Sequence, residues 1–500
     1  MGWLTDAFRF WWGLLYWNVR KSLFRLRPRS RCPCQNPSDS GRALETGCDA
    51  ANLWHDPARF RRVCPLLVDT PDGLRCSVDA RDVRPFWLRA ASYTAGAAVA
   101  LYVTGVLGLF VGLRVVGYPL SPLTLAWPPR WGELRLARSA FFAAKAQRAL
   151  DAHEVNEAIL SLDIAFRNNP RNYDAGLRLA QLSSVGQPDF ADQIFAILMR
   201  DHPDRRTATA EAWFRFLVVH GFLARAGELA AARVLEEPAQ RPAWLHGLFS
   251  VTQHTGNDQP LRDLVAKHAA GLAPIDLALV NSELMVRQGE GLRLLPGLTQ
   301  ELPAGAGTYG AFYQVSRLTR LGRPEEALAM LNRYAAARRL PEADDFLLRL
   351  DVLAVLGHPE VLRTRLGQGV VNAREVELVC VHLVRHPDAG ALAALAACVD
   401  RSHLPAEPAT YAACTALLCA AGAGGDFDPM HAAAMRLKEI SGARMVRLDA
   451  VEAFFRRRPD NAGINTILPM LPALSLEMVY ALYDRFDEPP PAAAVTVRPR

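Results

Sequence analysis

Two stretches of the chain share a pattern that predicts the fold: EAILSLDIAFRNNP, residues 157–170, and FADQIFAILMRDHP, residues 190–203. Their matching positions are, in order, Ala158, Ala165 and Pro170 in the first and Ala191, Leu198 and Pro203 in the second. The leading alanine and the closing proline both recur after 33 residues. Apolar residues at helical spacing, followed by a proline, predict a helix that packs on a neighbour and then ends. The 33-residue step predicts that such helices repeat.

Two later stretches carry the same positions. ARAGELAAARVLEEP, residues 224–238, places Ala226 and Pro238 a further 35 residues along the chain. LGRPEEALAMLNRYAAARRLP, residues 321–341, places Ala327 and Pro341 after a short Gly-Arg-Pro turn. From residue 139 to 486 the chain is a succession of helical patterns without strand-like alternation, which predicts an all-α body.

These alanine and proline positions resemble the tetratricopeptide repeat (TPR) family. The resemblance is clearest over residues 139–360 and weaker to residue 486; the Trp, Leu-Gly and Tyr residues of the family's first helix are mostly absent, and the register is lost between 275 and 305. The resemblance implies an α-solenoid whose concave face holds a peptide or protein, because stacked hairpins leave an extended groove. Residues 487–500 are expected to form a disordered tail.

One apolar segment is long enough to cross a membrane. Residues 90–113 contain no charged side chain, and 24 residues of helix span about 36 Å against a hydrocarbon core of about 30 Å. We therefore expect a transmembrane helix over 88–116, followed by a linker over 117–138. Small residues recur every fourth position in this helix, at Gly96, Ala100, Thr104, Gly108 and Gly112. Such a ridge allows another helix to approach closely, which predicts a homodimer through the span.

The first 31 residues combine aromatic and basic side chains. Residues 3–17 hold four of the ten tryptophans, and a run of Arg and Lys follows. The uncharged part, Phe10 to Val19, is too short to cross a bilayer, so this pattern favours a helix lying at the lipid interface with its basic run on anionic headgroups. The alternative is an aromatic helix packed against the rest of the protein.

Charge is distributed unevenly along the chain. Residues 1–89 carry 15 Lys or Arg and 9 Asp or Glu, whereas the remaining 411 residues carry 42 of each sign. A neutral body argues against nucleic-acid binding. The positive-inside rule places the N-terminus in the cytoplasm and the repeat body outside. Abundant Arg, Ala and Leu favour a bacterial origin, so we expect the inner membrane, with the body in the periplasm.

Residues 32–86 hold five of the nine cysteines. The segment CPLLVDTPDGLRC, residues 64–76, predicts two short strands around a Pro-Asp-Gly turn, which would bring its two cysteines together. Four thiolates in two pairs suit tetrahedral zinc, and the arrangement resembles a degenerate zinc ribbon. The expected ligands are Cys32, Cys34, Cys64 and Cys76, with Cys48 and His55 as alternates. Unligated thiols remain an alternative, as do disulfides or redox work if this segment faces an oxidising compartment.

Other motifs carry less chemistry. GAGTYG, residues 305–310, has no preceding strand and is expected to lead into a helix; HEVNE, residues 153–157, lacks the second His of a zinc protease. The cysteines of the body lie among Ala and Leu and are expected to be small buried apolar residues, with a disulfide among them as the alternative: Cys380, Cys398, Cys414 and Cys419. We therefore expect a membrane-anchored scaffold or adaptor without catalysis of its own. The alternatives are an accessory subunit of a membrane enzyme or secretion complex, and an enzyme whose site is scattered along the sequence.

Overall fold

We describe the protein from a computed structural model. The structure describes nine helical positions between Gly2 and Val19, and then residues 67–70, 73–76, 80–302, 307–369, 372–402, 407–441, 446–457, 462–471 and 473–486. Contacts divide the chain into two compact units, Met1–Phe141 and Phe142–Arg500.

The first unit contains a short hairpin and a long helix. Strands β1 (Leu67–Thr70) and β2 (Gly73–Cys76) pair antiparallel, with Leu67 opposite Cys76, which confirms the two predicted strands; Pro71 and Asp72 between them lie outside the described residues. Helix α1 (Ala80–Val116) follows. Within the described residues, one helical segment, Ala91–Val116, is long and apolar enough to cross a membrane, and none of its apolar window is buried inside the protein.

Glycine ends this helix. Gly117 has a φ of +104°, a left-handed conformation that only glycine adopts without strain, and its N–H donates back to the carbonyl of Leu113. Helix α2 (Pro122–Ala126), a 3₁₀ turn and the start of helix α3 (Gly132–Asp151) follow. The segment predicted as a linker, 117–138, is therefore largely helical.

The small-residue ridge runs along α1. Ala100, Thr104, Gly108 and Gly112 are exposed, and a methyl group built on Gly108 or Gly112 would meet no other atom within 4 Å. Gly96, at the start of the ridge, is partly buried. The single chain therefore leaves most of this face open to another helix, and pairing of two copies through it stays a prediction.

The second unit is all-α, as the sequence predicts. Its helices after α3 are, in order, α4 (Val155–Asn168), α5 (Tyr173–Ser183), α6 (Pro188–Asp201), α7 (Arg206–Val219), α8 (Leu223–Glu236), α9 (Arg241–Thr255), α10 (Gln259–His268), α11 (Pro274–Arg287), α12 (Leu295–Leu298), α13 (Gly307–Arg320), α14 (Pro324–Ala336), α15 (Glu342–Val355), α16 (Glu360–Gly367), α17 (Ala373–Arg385), α18 (Ala389–Ser402), α19 (Pro408–Gly424), α20 (Phe427–Ser441), α21 (Val446–Arg456) and α22 (Leu476–Phe486). From α4 to α9 each helix packs against the next, as in a stack of hairpins.

The stack is interrupted where the sequence loses its register. After α11 the chain forms a 3₁₀ turn and the four-residue α12, whose sequence is LPGL. Proline and glycine shorten this helix because neither favours a helix interior. Side chains from later in the chain hold this segment in place. Gln314 donates to the carbonyl of Gln300 at 2.8 Å, and Arg339 donates to the carbonyl of Leu302 at 2.7 Å.

Candidate functional site

The C-terminal helix α22 folds back onto the middle of the helical body. The Tyr483 hydroxyl donates to the carbonyl of Val218 in α7 at 2.8 Å, and Asp484 accepts from Arg320 in α13 at 2.9 Å. Helix α22 also packs against α9 and α17. Because the eleven-residue α22 contacts α7, α9, α13 and α17, these four helices must converge on it. Helix α22 therefore covers part of the surface of these helices.

An ionic contact fixes this helix. Asp484 lies 3.2 Å from Nε2 of His254 as well as beside Arg320. Burial alone would raise the pKa of Asp484, but the hydrogen bond from His254 and the charge of Arg320 outweigh it and lower the pKa to about 2. Asp484 is therefore charged at every physiological pH, which favours the docked position of α22.

A cavity of about 50 Å³ lies between α22 and the helices that it contacts. His246 lines it, with its ring centroid 5.5 to 5.6 Å from those of Tyr309, Phe312 and Tyr480. Burial is the main cause that lowers the pKa of His246, Glu477 opposes it, and the nearby cations Arg385, Arg320 and Arg317 add to it, which together bring the pKa to about 4. At neutral pH the imidazole is therefore uncharged.

We expect His246 to make the body less stable in mild acid. Its folded pKa of about 4 lies below the ordinary value of 6.5, so between these values the unfolded chain binds a proton that the folded chain does not. The free energy of unfolding should therefore fall as the pH drops from 6.5 towards 4, by about 2–3 kcal/mol at pH 4.5. Urea unfolding of the full chain and of His246→Gln at several pH values measures this difference.

The matched control is His153→Gln, since His153 is an exposed histidine in the turn before α4. It should unfold like the wild type at every pH, whereas His246→Gln should show a smaller fall in the free energy of unfolding over this window; burial also lowers the pKa of His386, which contributes equally to both chains. Asp484 does not confound the comparison, because its pKa of about 2 places its contribution below pH 4. Parallel pH curves for wild type and His246→Gln would contradict the prediction.

A second ionic group joins α9, α10, α11 and α13. Glu283 is 1% exposed and accepts from Arg317 at 2.6 Å, from Arg287 at 3.0 Å and from the hydroxyl of Tyr313 at 3.0 Å. Arg287 continues to Asp258 at 2.7 Å and to the carbonyl of Phe249 at 2.7 Å. A buried carboxylate with three donors is satisfied only in this geometry, so the group fixes the register of four helices beside the interrupted segment.

An open groove of about 820 Å³ lies between the end of α3 and the start of α4. Two of its lining residues, Val155 and Leu160, are apolar yet 46% and 61% exposed. An ion pair between Lys145 and Glu157, 2.6 Å long, lies beside them. The inward face of α4 is formed by Ala158, Leu162 and Ala165, which directs Leu160 to the opposite side of the helix. The groove thus combines an apolar centre with a charged rim.

A third arrangement contains donors that metals use. Asp351 on α15, His382 on α17 and His386 at the end of α17 have ligand atoms that all lie within 4.8 Å of one another. Nδ1 of His382 lies 2.7 Å from Oδ1 of Asp351, and Arg385 donates to the other oxygen at 2.7 Å. The cluster borders a groove of about 520 Å³. Sequence analysis missed it; its one visible signal is the four-residue spacing of the two histidines.

The residues that carry the TPR resemblance occupy matching places. The alanines, each 0% exposed and on α4, α6, α8 or α14, are Ala158, Ala165, Ala191, Ala226 and Ala327. Pro170, Pro203 and Pro238 each stand two residues after the end of such a helix, and Pro341 immediately precedes α15. Each alanine allows a neighbouring helix to approach closely, and each proline follows a helix that has ended.

The predicted zinc ligands are described only in part. Cys32, Cys34, Cys48, His55 and Cys64 lie outside the described residues; Cys76 is the last residue of β2. Zinc binding by this segment stays a prediction.

The cysteines of the body are buried, as predicted for small apolar residues, and each is a free thiol: Cys380, Cys398, Cys414 and Cys419. Burial raises the pKa of the Cys380 and Cys419 thiols well above that of an ordinary cysteine. Both therefore stay protonated at neutral pH and do not act as thiolate nucleophiles. Of the GAGTYG motif, Gly305 and Ala306 lie outside the described residues, and Gly307 begins α13.

Comparison with known proteins adds no family to this description. None of the family models searched matches the chain. No curated protein matches it either.

Proposed function

We propose that the protein is a membrane-anchored, TPR-like scaffold that holds a partner protein through its helical body. The observation that carries the proposal is the groove between α3 and α4. Two exposed apolar side chains inside a charged rim have the composition of a protein interface, with an apolar core surrounded by polar groups. The occupant that fits is an apolar segment of a protein flanked by charged residues.

The position of this groove supports the same proposal. Val155 follows the end of α1 by 39 residues, so a partner held there would be linked to the candidate membrane span through a short stretch of the chain. Helix α22 already packs against the middle of the helical body. The groove between α3 and α4, at the start of the body, has the largest volume of the three cavities described above. We place the span in a bacterial inner membrane, with the N-terminus cytoplasmic and the body periplasmic. The aromatic and basic arm would lie on the lipid surface.

Site-specific photocrosslinking in intact membranes tests the partner surface. A crosslinking residue at Asn156, which lines the groove, should capture one protein, and Leu160→Glu in the same chain should abolish the capture. The matched control is a crosslinker at Glu228, an exposed position on α8 that should capture nothing comparable. Equal capture at both positions, or capture unaffected by Leu160→Glu, would overturn the proposal. One stoichiometric partner would favour an accessory subunit, and several partners an adaptor.

Orientation is tested separately. A compartment-sensitive reporter fused after Gly132 should report the periplasm, and one fused after Ser30 should report the cytoplasm. The reverse result would place the cysteine segment in an oxidising space, where disulfides replace zinc as the better interpretation.

A further inference from the structure

The cluster of Asp351, His382 and His386 joins two helices at the base of an open groove. His382 lies in the last turn of α17, His386 caps its end four residues later, and the ligand atoms of both lie within 4.8 Å of that of Asp351 on α15. Asp351 and His382 are 9% and 4% exposed. The groove beside them, of about 520 Å³, is lined by both histidines and by His358, Arg363 and Asp388.

Asp351 makes two contacts at hydrogen-bond distance and a third that is longer. Its Oδ1 lies 2.7 Å from Nδ1 of His382, and its Oδ2 accepts from Arg385 at 2.7 Å. Nε2 of His386 lies 3.8 Å from Oδ1, longer than a hydrogen bond although the ring is turned towards the carboxylate. Asp351 is thus already hydrogen-bonded by His382 and Arg385, and His386 approaches the same carboxylate as a third nitrogen donor.

We propose that these three residues form a binding site for a divalent transition metal, with Zn²⁺ as its simplest occupant. Imidazole nitrogen and carboxylate oxygen are both zinc ligands, at about 2.0–2.2 Å from the ion. In a tetrahedron of that size neighbouring donors are about 3.4 Å apart. The measured separations of 2.7 and 3.8 Å from Asp351 lie on either side of this value. Small rotations of the side chains therefore bring the donors to metal-binding distance.

Proton positions and the neighbouring arginine are compatible with this ligand set. A neutral imidazole carries one proton, which can lie on either nitrogen. When the proton of His382 is on Nε2, Nδ1 is free to bind the metal. Arg385 holds Oδ2 of Asp351 and leaves Oδ1 facing the histidines, so it acts as a positioning residue that orients the ligand from outside the coordination sphere.

The site has three protein ligands and an opening. His386 is partly exposed at the groove, with 33% of its side chain accessible, whereas His382 is buried behind it. The fourth position of a tetrahedral ion therefore faces the groove, where water or a ligand can reach it. Three protein ligands with one open position distinguish such a site from closed structural zinc sites.

Metal binding by the full chain in detergent tests this inference. Because the five N-terminal cysteines are themselves candidate zinc ligands, they are first replaced with serine: Cys32, Cys34, Cys48, Cys64 and Cys76. Metal is removed with a chelator, Zn²⁺ is added back, and its affinity and stoichiometry are measured by competition with a chromophoric indicator. We expect about one zinc per chain. His386→Gln should weaken binding at least about 100-fold, because removing a ligand costs more than the 10–100-fold typical of an outer contact.

His358→Gln is the matched control, since this histidine also lines the groove but pairs with Glu360 at 3.0 Å. It should bind zinc like the parent. Zn²⁺ should also raise the melting temperature of the parent and of His358→Gln but not that of His386→Gln. Without metal, His386→Gln should melt at the same temperature as the parent, because His386 is partly exposed. Absence of saturable binding, or equal affinity in His386→Gln, would overturn the inference and leave Asp351, His382 and Arg385 as a structural ion-pair network.

Discussion

Ending the chain at Ser475, which removes α22, is expected to abolish the cooperative unfolding of the helical body. Six consecutive residues of α22 are buried, among them Met478, Val479 and Leu482 at 0% exposure and Tyr483 at 1%. Burying one large apolar side chain contributes about 1.5–3 kcal/mol. The four named here together contribute roughly 6–12 kcal/mol, comparable with the 5–15 kcal/mol by which a whole domain is stable.

The truncation also exposes groups that were arranged around α22. Arg320 loses Asp484, and the rings that surround His246 lose Tyr480. Thermal unfolding of the full chain in detergent, followed by circular dichroism and limited proteolysis, measures the effect. The truncated chain should be cleaved within the body and show no sharp transition.

The matched control ends the chain at Phe486 and so removes only residues 487–500. It should unfold like the full chain. A point variant separates packing from hydrogen bonding: Tyr483→Phe removes only the donor to Val218, at a cost of about 1 kcal/mol, whereas Tyr483→Ala should cost about 3–5 kcal/mol. A chain ending at Ser475 that melts like the control would show that α22 is an appendage and not part of the body.

The fold was largely predictable because its signals are local. Alanines such as Ala158 and Ala191 recur at the 33-residue repeat step, and the prolines that follow mark where each helix ends. Sequence spacing alone therefore predicts successive packed helices. The candidate span is equally local, since 24 consecutive uncharged residues suffice to recognise it. The interruption near Leu295–Leu298 was visible too, as a loss of register.

The return of α22 could not be predicted in this way. Its contacts join residues far apart in sequence, such as Val218 with Tyr483, which are 265 positions apart. Apolar periodicity identifies a helix and its buried face but does not name the partner on which that face packs. The three-residue cluster shows the same limit: the spacing of His382 and His386 is readable in the sequence, whereas Asp351 comes 31 residues earlier on another helix.

Glu283→Ala should destabilise the body by about 3–5 kcal/mol, because it leaves buried cations without their counter-charge. Arg317 and Arg287 are each 12% exposed in their side chains, and both contact Glu283 directly. Burial and the charge of Glu283 also raise the pKa of Tyr313, which keeps its hydroxyl protonated and donating. Removing the carboxylate therefore takes one acceptor from three donors, of which Arg287 keeps Asp258 and the carbonyl of Phe249, and urea unfolding of the full chain would detect the loss.

Two further variants identify the cause. Glu290→Ala removes a carboxylate of the same type from an exposed pair with Arg293, and it should change stability by less than about 0.5 kcal/mol. Replacing both Glu283 and Arg317 with methionine should cost less than Glu283→Ala alone, since a buried ion pair replaced by apolar groups of similar size leaves no unpaired charge. If the double variant loses as much free energy of unfolding as Glu283→Met and Arg317→Met lose together, the two charges do not depend on each other. Coupling between them would instead establish that this group, rather than a regular helical hairpin, holds α11 and α13 together where the repeat is interrupted.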